Sequence, residues 1–263
     1  MNYSCGVMNR FPTPYDNVNE AIYALRDSAK EVLGDYFTGM YLYGSLALGG
    51  FDPGRSDIDL LIVTSEKLPD DVISELEAMY KRFYRSGLDW AKKMTGICIP
   101  LEDMRIYSET GPKNQMFNRD EFLVDRPDND WIFHRHVLNE CGIVIEGPPL
   151  RDIIEPIPPE QLKEIAFLFL RDWVLLTYDD EIFRGESHQA YFVLTVCRCL
   201  YTLKNGDIAS KIRSAEWVLE QVDSKWSDLI RQAMAWHYGD PAGDIPQTQK
   251  FMRYIMAKAG VMV

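Results

Sequence analysis

The chain has no apolar run approaching the ~20 residues that a membrane-spanning helix needs. Its first residues, MNYSCGVMNRF, carry neither the basic segment nor the apolar core of a secretory leader. Both absences lead to the expectation of a cytoplasmic protein with no membrane partner. Cysteine is scarce and odd in number: Cys5, Cys98, Cys141, Cys197 and Cys199. No paired ligand spacing joins them, which argues against a zinc site and a disulfide framework and for reduced thiols. Cys197 and Cys199 stand two apart in a helical pattern, so they do not share a face and read as packing residues. Basic residues are also few. Lys and Arg number 28 against 40 Asp and Glu, a net charge of −12. A long nucleic-acid surface needs cations to neutralise phosphates, so a nucleic-acid partner is not expected. A cationic small molecule, drawn in by the field of the whole protein, fits this balance better. No internal repeat or low-complexity segment is present. At 263 residues the chain has room for one large domain or two modest ones.

What is present centres on residues 41–63, YLYGSLALGGFDPGRSDIDLLIV. An apolar strand over Met40–Tyr43 runs into Gly44-Ser45. A turn rich in glycine and proline follows, and then a second strand opening with Ser56-Asp57-Ile58-Asp59. Side chains alternate along a strand, so Asp57 and Asp59 share a face while Ile58 and Leu60 point into the core. Two adjacent carboxylates repel each other unless a cation sits between them. Mg²⁺ suits that place, because it binds through one or two carboxylates together with substrate phosphates. Gly44 permits close backbone approach, and Ser45 is placed to open a helix whose amides face an anion. Ser56 adds a hydroxyl. The combination suggests phosphoryl or nucleotidyl transfer.

These residues resemble a known superfamily. Gly-Ser, a short gap and Asp-x-Asp look like the nucleotidyltransferases related to DNA polymerase beta. The fuller string LYGSLALGGFDPGRSDIDLLIV resembles the aminoglycoside adenylyltransferases that modify spectinomycin or streptomycin. The resemblance extends from Tyr41 to about Lys258 and is sharpest in 41–63 and 191–211. It implies ATP as co-substrate and Mg²⁺ as cofactor, with Asp57 and Asp59 as metal ligands and catalytic groups. Gly44, Ser45 and Ser56 would then face the nucleotide phosphates.

The flanking pattern supplies the scaffold. Asn17 is placed to cap a helix to about Leu33, with Val18, Ile22, Leu25, Ala29, Val32 and Leu33 on one face and Gly34 at its end. Pro69-Asp70-Asp71 starts a second helix, and residues 95–101, TGICIPL, read as a strand. In the resembled family a third carboxylate on this strand activates the attacking hydroxyl. Here Thr95 and Gly96 stand at the aligned positions, and the nearest acids are Asp89, Glu102 and Asp103. Three explanations stay open: a register shift that brings in Glu102, an acid of the second domain or one of the metal-bound aspartates acting as base, or an enzyme slow or inactive on the expected substrate. Residues 102–129 read as irregular. Asp130-Trp131 opens a helix, and GIVIEG (142–147) is a short strand. His134 and His136, two apart, cannot face one metal from a helix and are taken as surface or capping residues.

Prolines at 148, 149, 156, 158 and 159 mark a stiff linker. Beyond it the pattern is helical, over about 159–177, 187–204, 209–222, 225–238 and 246–259. The segment CRCLYTLKNGDIASK (197–211) resembles the part of the adenylyltransferases whose Arg and Lys contact nucleotide phosphates, which implicates Arg198 and Lys211. A guanidinium fork and a compact ammonium suit that role. By the same resemblance Tyr238 lies near the nucleotide, and the acidic loop YDDEIFRGESHQ lies where the acceptor binds. Its candidates are Asp179, Asp180, Glu181 and His188. The last of these stands where the family has an Asp.

The expected architecture is α+β, with a nucleotidyltransferase domain over 1–150 on a small mixed sheet and a helical bundle over 156–263. The expected activity is Mg²⁺-dependent transfer of AMP from ATP to a hydroxyl of an aminoglycoside-type antibiotic. The alternatives are a homologue with another small acceptor, or a nucleotide-binding protein with little catalysis. A monomer or weak homo-oligomer would serve any of these.

Overall fold

The computed structural model describes residues 12–105, 112–126, 131–173, 179, 181, 188–241 and 243–261. The first half alternates helix and strand. Helix α1 (Asp16–Leu33) leads into β1 (Phe37–Leu42), then a single helical turn α2 (Gly44–Ala47) and β2 (Ile58–Thr64). Helix α3 (Asp70–Tyr84) connects to β3 (Met94–Pro100), and the short α4 (Leu101–Arg105) follows. A hairpin of β4 (Asn114–Asn118) and β5 (Glu121–Asp125), helix α5 (Trp131–Cys141) and β6 (Ile143–Glu146) complete this half. The second half contains α6 (Pro159–Asp172), α7 (His188–Asn205), α8 (Lys211–Leu219), α9 (Ser227–Ala235) and α10 (Ile245–Lys258).

The strands form one mixed sheet in the order β5-β4-β3-β2-β1-β6. Only β2 and β3 run parallel among the described strands, joined by the α3 crossover. Central strand β2 is covered on both faces. Ile58, Leu60 and Ile62 pack with Leu25 of α1 and Met79 of α3. Leu61 and Val63 pack on the other side with Ile97, Ile99 and residues of α5 and α6. The Asp-bearing face of β2 is therefore apolar beyond Asp59, and the acids sit at the strand's first end. Burial on both faces explains the nearly unbroken apolar run of β2.

The helical half packs around α7, whose Val196, Cys197 and Leu200 meet Val218, Ile230, Phe251 and Ile255. Cys197 and Cys199 are both buried packing residues. Helix α6 belongs to the sheet's second layer through Leu162, Ile165 and Ala166. The two halves thus share apolar contacts. No helix among the described residues is long and apolar enough to cross a membrane.

Some elements differ from expectation. Asn17 does not cap α1: its N-cap is Tyr15, which makes no side-chain cap bond. Instead Asn19 reaches back from the first turn, accepting from the Thr13 N–H at 3.0 Å and donating to its carbonyl at 2.8 Å. The stretch expected to be irregular holds α4 and the β4–β5 hairpin. The two-residue turn Arg119-Asp120 lacks the usual Asn-Gly signal, yet Arg119 adopts φ +55°. It is held there by the Tyr80 hydroxyl, which donates to its carbonyl at 2.8 Å.

Candidate active site

The site is assembled where β1 hands over to α2. The Tyr43 N–H donates to the Asp59 carbonyl at 3.0 Å, fixing the end of β1 against the start of β2. Gly44 then turns to φ +60°. A Cβ added there would lie 1.9 Å from Asp59 Oδ2. Only glycine leaves room for that carboxylate, and the conformation is one that L side chains rarely adopt. The turn closes through Leu48 N–H to Gly44 C=O at 3.0 Å and Gly50 N–H to Ser45 C=O at 2.9 Å. Ser45 lies inside this single turn and does not cap it, contrary to its expected role as the opening residue.

The loop between Gly50 and Asp57 touches the helical half. Gly50 backs onto Ser210, the N-cap of α8, leaving no space for a Cβ. Asp52 holds Arg55 at 3.1 Å and His237 at 3.2 Å, while the Arg55 guanidinium donates to the Met234 carbonyl. These contacts pin the segment after α9 across the mouth of the site.

Between the halves lies a cavity of about 380 Å³. Gly44, Ser45, Ser56, Asp57 and Asp59 line it from the sheet side. Arg198, Ser210, Lys211 and Tyr238 line it from the helical side. The two aspartates therefore share a cavity with the two cations named from the sequence. Lys211 is the first residue of α8 and sits 4.1 Å above the ring of Tyr191.

Both carboxyls are pushed above the ordinary aspartate range. Burial is the main cause for each, and for Asp57 the charge of Asp59 adds to it. Arg119, Lys93 and Lys211 oppose the rise at Asp57. At Asp59 it is opposed by His134, a hydrogen bond from Thr95, Lys211 and Arg198. Two oxygen donors that resist ionising together, one of them seated against a glycine, form a donor set that fits a hard divalent cation completed by phosphate oxygens. Among the described residues no group of three or more His, Cys, Asp or Glu is arranged to hold a metal by itself. Such a cation would therefore depend on its nucleotide for ligands.

Thr95 occupies the place expected for a third carboxylate. It pairs in register with Asp59 across the parallel ladder, and its hydroxyl lies 3.2 Å from Asp59 Oδ1. That register runs unbroken from Ile58–Met94 to Thr64–Pro100, so no shift brings Glu102 inward. Glu102 lies in α4, beyond Pro100 at the far end of β3, which is itself about 17 Å of strand from Thr95. It is exposed, and its carboxylate faces Lys67 at 3.9 Å. Asp179 and Glu181 are exposed, and the Asp179 carboxylate accepts the Glu181 N–H at 2.9 Å. Neither lines this cavity. Asp180 and the side chain of His188 lie outside the described residues.

Several residues at the site were not selected from the sequence, among them Arg55, Tyr191, Ser210 and Trp236 of the cavity lining. His134, expected at the surface, lines the cavity, edge-on to Tyr43 at 4.9 Å and stacked on Trp131 at 6.0 Å. Its three-residue offset from Trp131 on one helix face was the available signal. The charges of Lys93 and Arg119 hold the Asp57 pKa down, although neither lines the cavity. Arg119 also donates to the Tyr238 hydroxyl. Nothing in the local sequence marked either one, because they reach the site by the folding of β3 and the hairpin.

Residues 24–110 match the family described as a nucleotidyltransferase domain, and residues 153–258 match the aminoglycoside adenylyltransferase C-terminal domain. The chain belongs to the nucleotidyltransferases of the aminoglycoside adenylyltransferase type. It is 23% identical over 252 residues to a spectinomycin 9-adenylyltransferase of Campylobacter jejuni, covering 92% of each chain. It is 24% identical over 229 residues to an aminoglycoside (3'') (9) adenylyltransferase of Klebsiella pneumoniae, covering 82% of this chain and 85% of that one. Its fold matches that of the Enterococcus faecalis spectinomycin adenyltransferase solved with ATP and spectinomycin. The TM-score is 0.73 at 18% identity, covering 92% of this chain and 98% of that chain. As a nucleotidyltransferase of this type, the chain combines the α+β domain and the helical domain that the fold displays.

Proposed function

We propose that this enzyme transfers AMP from ATP to a hydroxyl of an aminoglycoside-type antibiotic such as spectinomycin or streptomycin, conferring resistance. Residues 1–150 act as the nucleotidyltransferase domain and 156–263 as the helical domain. The observation that carries this reading is the shared cavity. Asp57 and the glycine-seated Asp59 face Arg198 and Lys211 across it. The names of the relatives and the net charge of −12 support a cationic acceptor.

In this reading Ser45 and Ser56 meet the triphosphate from the sheet side. Arg198 and Lys211 neutralise it from the helical side. The acceptor hydroxyl attacks the α-phosphorus, and the bond to pyrophosphate breaks. Lys211 and Arg198 balance the charge that gathers on the departing pyrophosphate. Asp57 and Asp59 would hold Mg²⁺, which when bound lowers the pKa of the hydroxyl and stabilises the entering and leaving oxygens. Thr95 holds Asp59 in orientation and cannot itself act as a carboxylate base. The candidates in the cavity lining to take the hydroxyl proton are then Asp57, Asp59 and His134.

The test is pyrophosphate release from ATP with Mg²⁺ across a panel of aminoglycosides, with Asp57→Asn as control. Acceptor-dependent release that the control abolishes is expected. Failure with every acceptor, while ATP still binds, would overturn the transfer reading. It would favour a second one, nucleotide binding with little catalysis, which the Thr95 substitution supports. Release with a different small hydroxylated acceptor would keep the reaction and replace the substrate.

A further inference from the structure

Tyr191 stands in the first turn of α7, seven residues and so two helical turns before Arg198. Both line the cavity, with Leu194 between them. The tyrosine is 42% exposed, whereas Phe192 and Val193 beside it are buried in the helical core. Its ring is nevertheless fixed in place. Trp173 lies 6.1 Å from it, and Phe192 packs edge-on at 5.7 Å. The Lys211 ammonium sits 4.1 Å above its centroid.

Lys211 occupies an unfavourable place. It is the first residue of α8, where the positive end of the helix dipole disfavours a cation. Its backbone is set by the N-cap Ser210, whose hydroxyl accepts the Arg213 N–H at 3.3 Å and whose side chain backs onto Gly50 of the sheet half. Its side chain is a compact charge on a flexible four-carbon stem, so the backbone does not decide where that charge rests. Two attractions compete for it. One comes from the acids, since the Lys211 charge holds down the pKa of both Asp57 and Asp59. A lysine that collapsed onto those carboxylates would fill the place they offer to a divalent cation. The other comes from the ring, because the negative face of a tyrosine attracts a cation within about 6 Å of its centroid.

We infer that Tyr191 is a positioning residue for Lys211, holding the ammonium over its ring, clear of the aspartates and in the path of the triphosphate. This rests on the reading that Lys211 meets the triphosphate. The aromatic face does this work and the hydroxyl is not required, so phenylalanine would serve and an aliphatic side chain would not.

Equilibrium binding of ATP and of inorganic tripolyphosphate, both with Mg²⁺ and without acceptor, to the full chain tests it. Tyr191→Leu should weaken both ligands about fivefold. Tyr191→Met carries the same expectation and replaces it if the leucine variant does not fold. Tyr191→Phe should restore both to within about twofold of the parent. The decisive comparison is made in a Lys211→Ala background, where Tyr191→Leu should cost nothing further. A ring that only supports the fold would cost the same in both backgrounds. A loss that persists undiminished there would overturn the proposal, and so would a folded Tyr191→Leu that binds both ligands within about twofold of the parent. Weakening of ATP alone, with tripolyphosphate unchanged, would assign the ring to the nucleoside and overturn it equally. Lys211→Ala separates the two readings. If it weakens neither ligand, the phosphate role of Lys211 falls and the positioning role falls with it. If it weakens both while Tyr191→Leu weakens neither, only the positioning role falls.

Discussion

The two halves of this protein bring opposite things to one cavity. The sheet half supplies the carboxylates, Asp57 and Asp59, on a strand buried along most of its length. The helical half supplies the cations, Arg198 near the middle of α7 and Lys211 at the start of α8. In the sheet half burial raises both aspartate pKa values, and at Asp57 the charge of Asp59 adds to it. Arg119 and Lys93 of the same half offset part of that rise at Asp57, and Lys211 and Arg198 act from across the cavity, Lys211 on both acids and Arg198 on Asp59. Function and stability are therefore opposed at the acids, which become favourable once a metal nucleotide occupies the space.

The sharpest way to break this contrast is to remove an acid. Asp57→Asn and Asp59→Asn should each lower acceptor-dependent pyrophosphate release by about 10³-fold or more, read as kcat/KM. Stability should move the other way. An aspartate whose folded pKa is raised contributes its penalty as pH climbs from the unfolded value near 4 through the raised folded value. The ligand-free Asp59→Asn variant should therefore melt above the parent at neutral pH. The gap should close as the pH is lowered through that window, and a gap independent of pH would contradict the assigned burial cost.

Gly44→Ala comes next. The added Cβ would meet the Asp59 carboxylate in a backbone conformation that alanine resists. A displacement of about 1 Å at a reacting centre costs roughly 10²-fold, so a loss of that size in kcat is expected, with a lowered melting temperature. Thr95→Glu sharpens the comparison from within the sheet by supplying the missing carboxylate. General-base help is worth about 10²–10⁴-fold, so a rise in kcat of at least tenfold with Mg²⁺ is expected. No rise would show that the proton leaves by another route. On the helical side, Lys211→Ala should raise the KM for ATP about tenfold and change the KM for the acceptor little. Glu102→Gln should alter neither constant by more than about twofold, since exposed ion pairs contribute little.

The elements most readable in the chain were those whose local pattern and tertiary setting agree. Helix α1 shows its buried stripe at helical spacing and ends at Gly34, which the structure places at φ +51°. The β1–β2 segment is legible because glycine and paired acids interrupt an apolar run for a chemical reason. Arg198 and Lys211 were found through resemblance, since an arginine among apolar residues of a helix and a lysine at a helix start have many ordinary explanations. The β4–β5 hairpin was not legible, because its turn relies on Arg119 held by Tyr80 from a distant helix. His134 was misplaced because two histidines on one helix were weighed against each other, whereas Trp131 and Tyr43 decide which of them faces the cavity.

Residue order alone settled the chemistry available to this protein: a glycine before a turn, two acids alternating onto one strand face, and cations far along the chain. These follow from local rules of backbone geometry and side-chain alternation. Folding in three dimensions settled which of those groups meet. It put Thr95 beside Asp59 through strand pairing, carried Glu102 to the opposite end of β3, and set Lys93, Arg119 and His134 around the acids. Such contacts join residues from separate elements, and the spacing of a linear chain holds no record of the register and packing that create them.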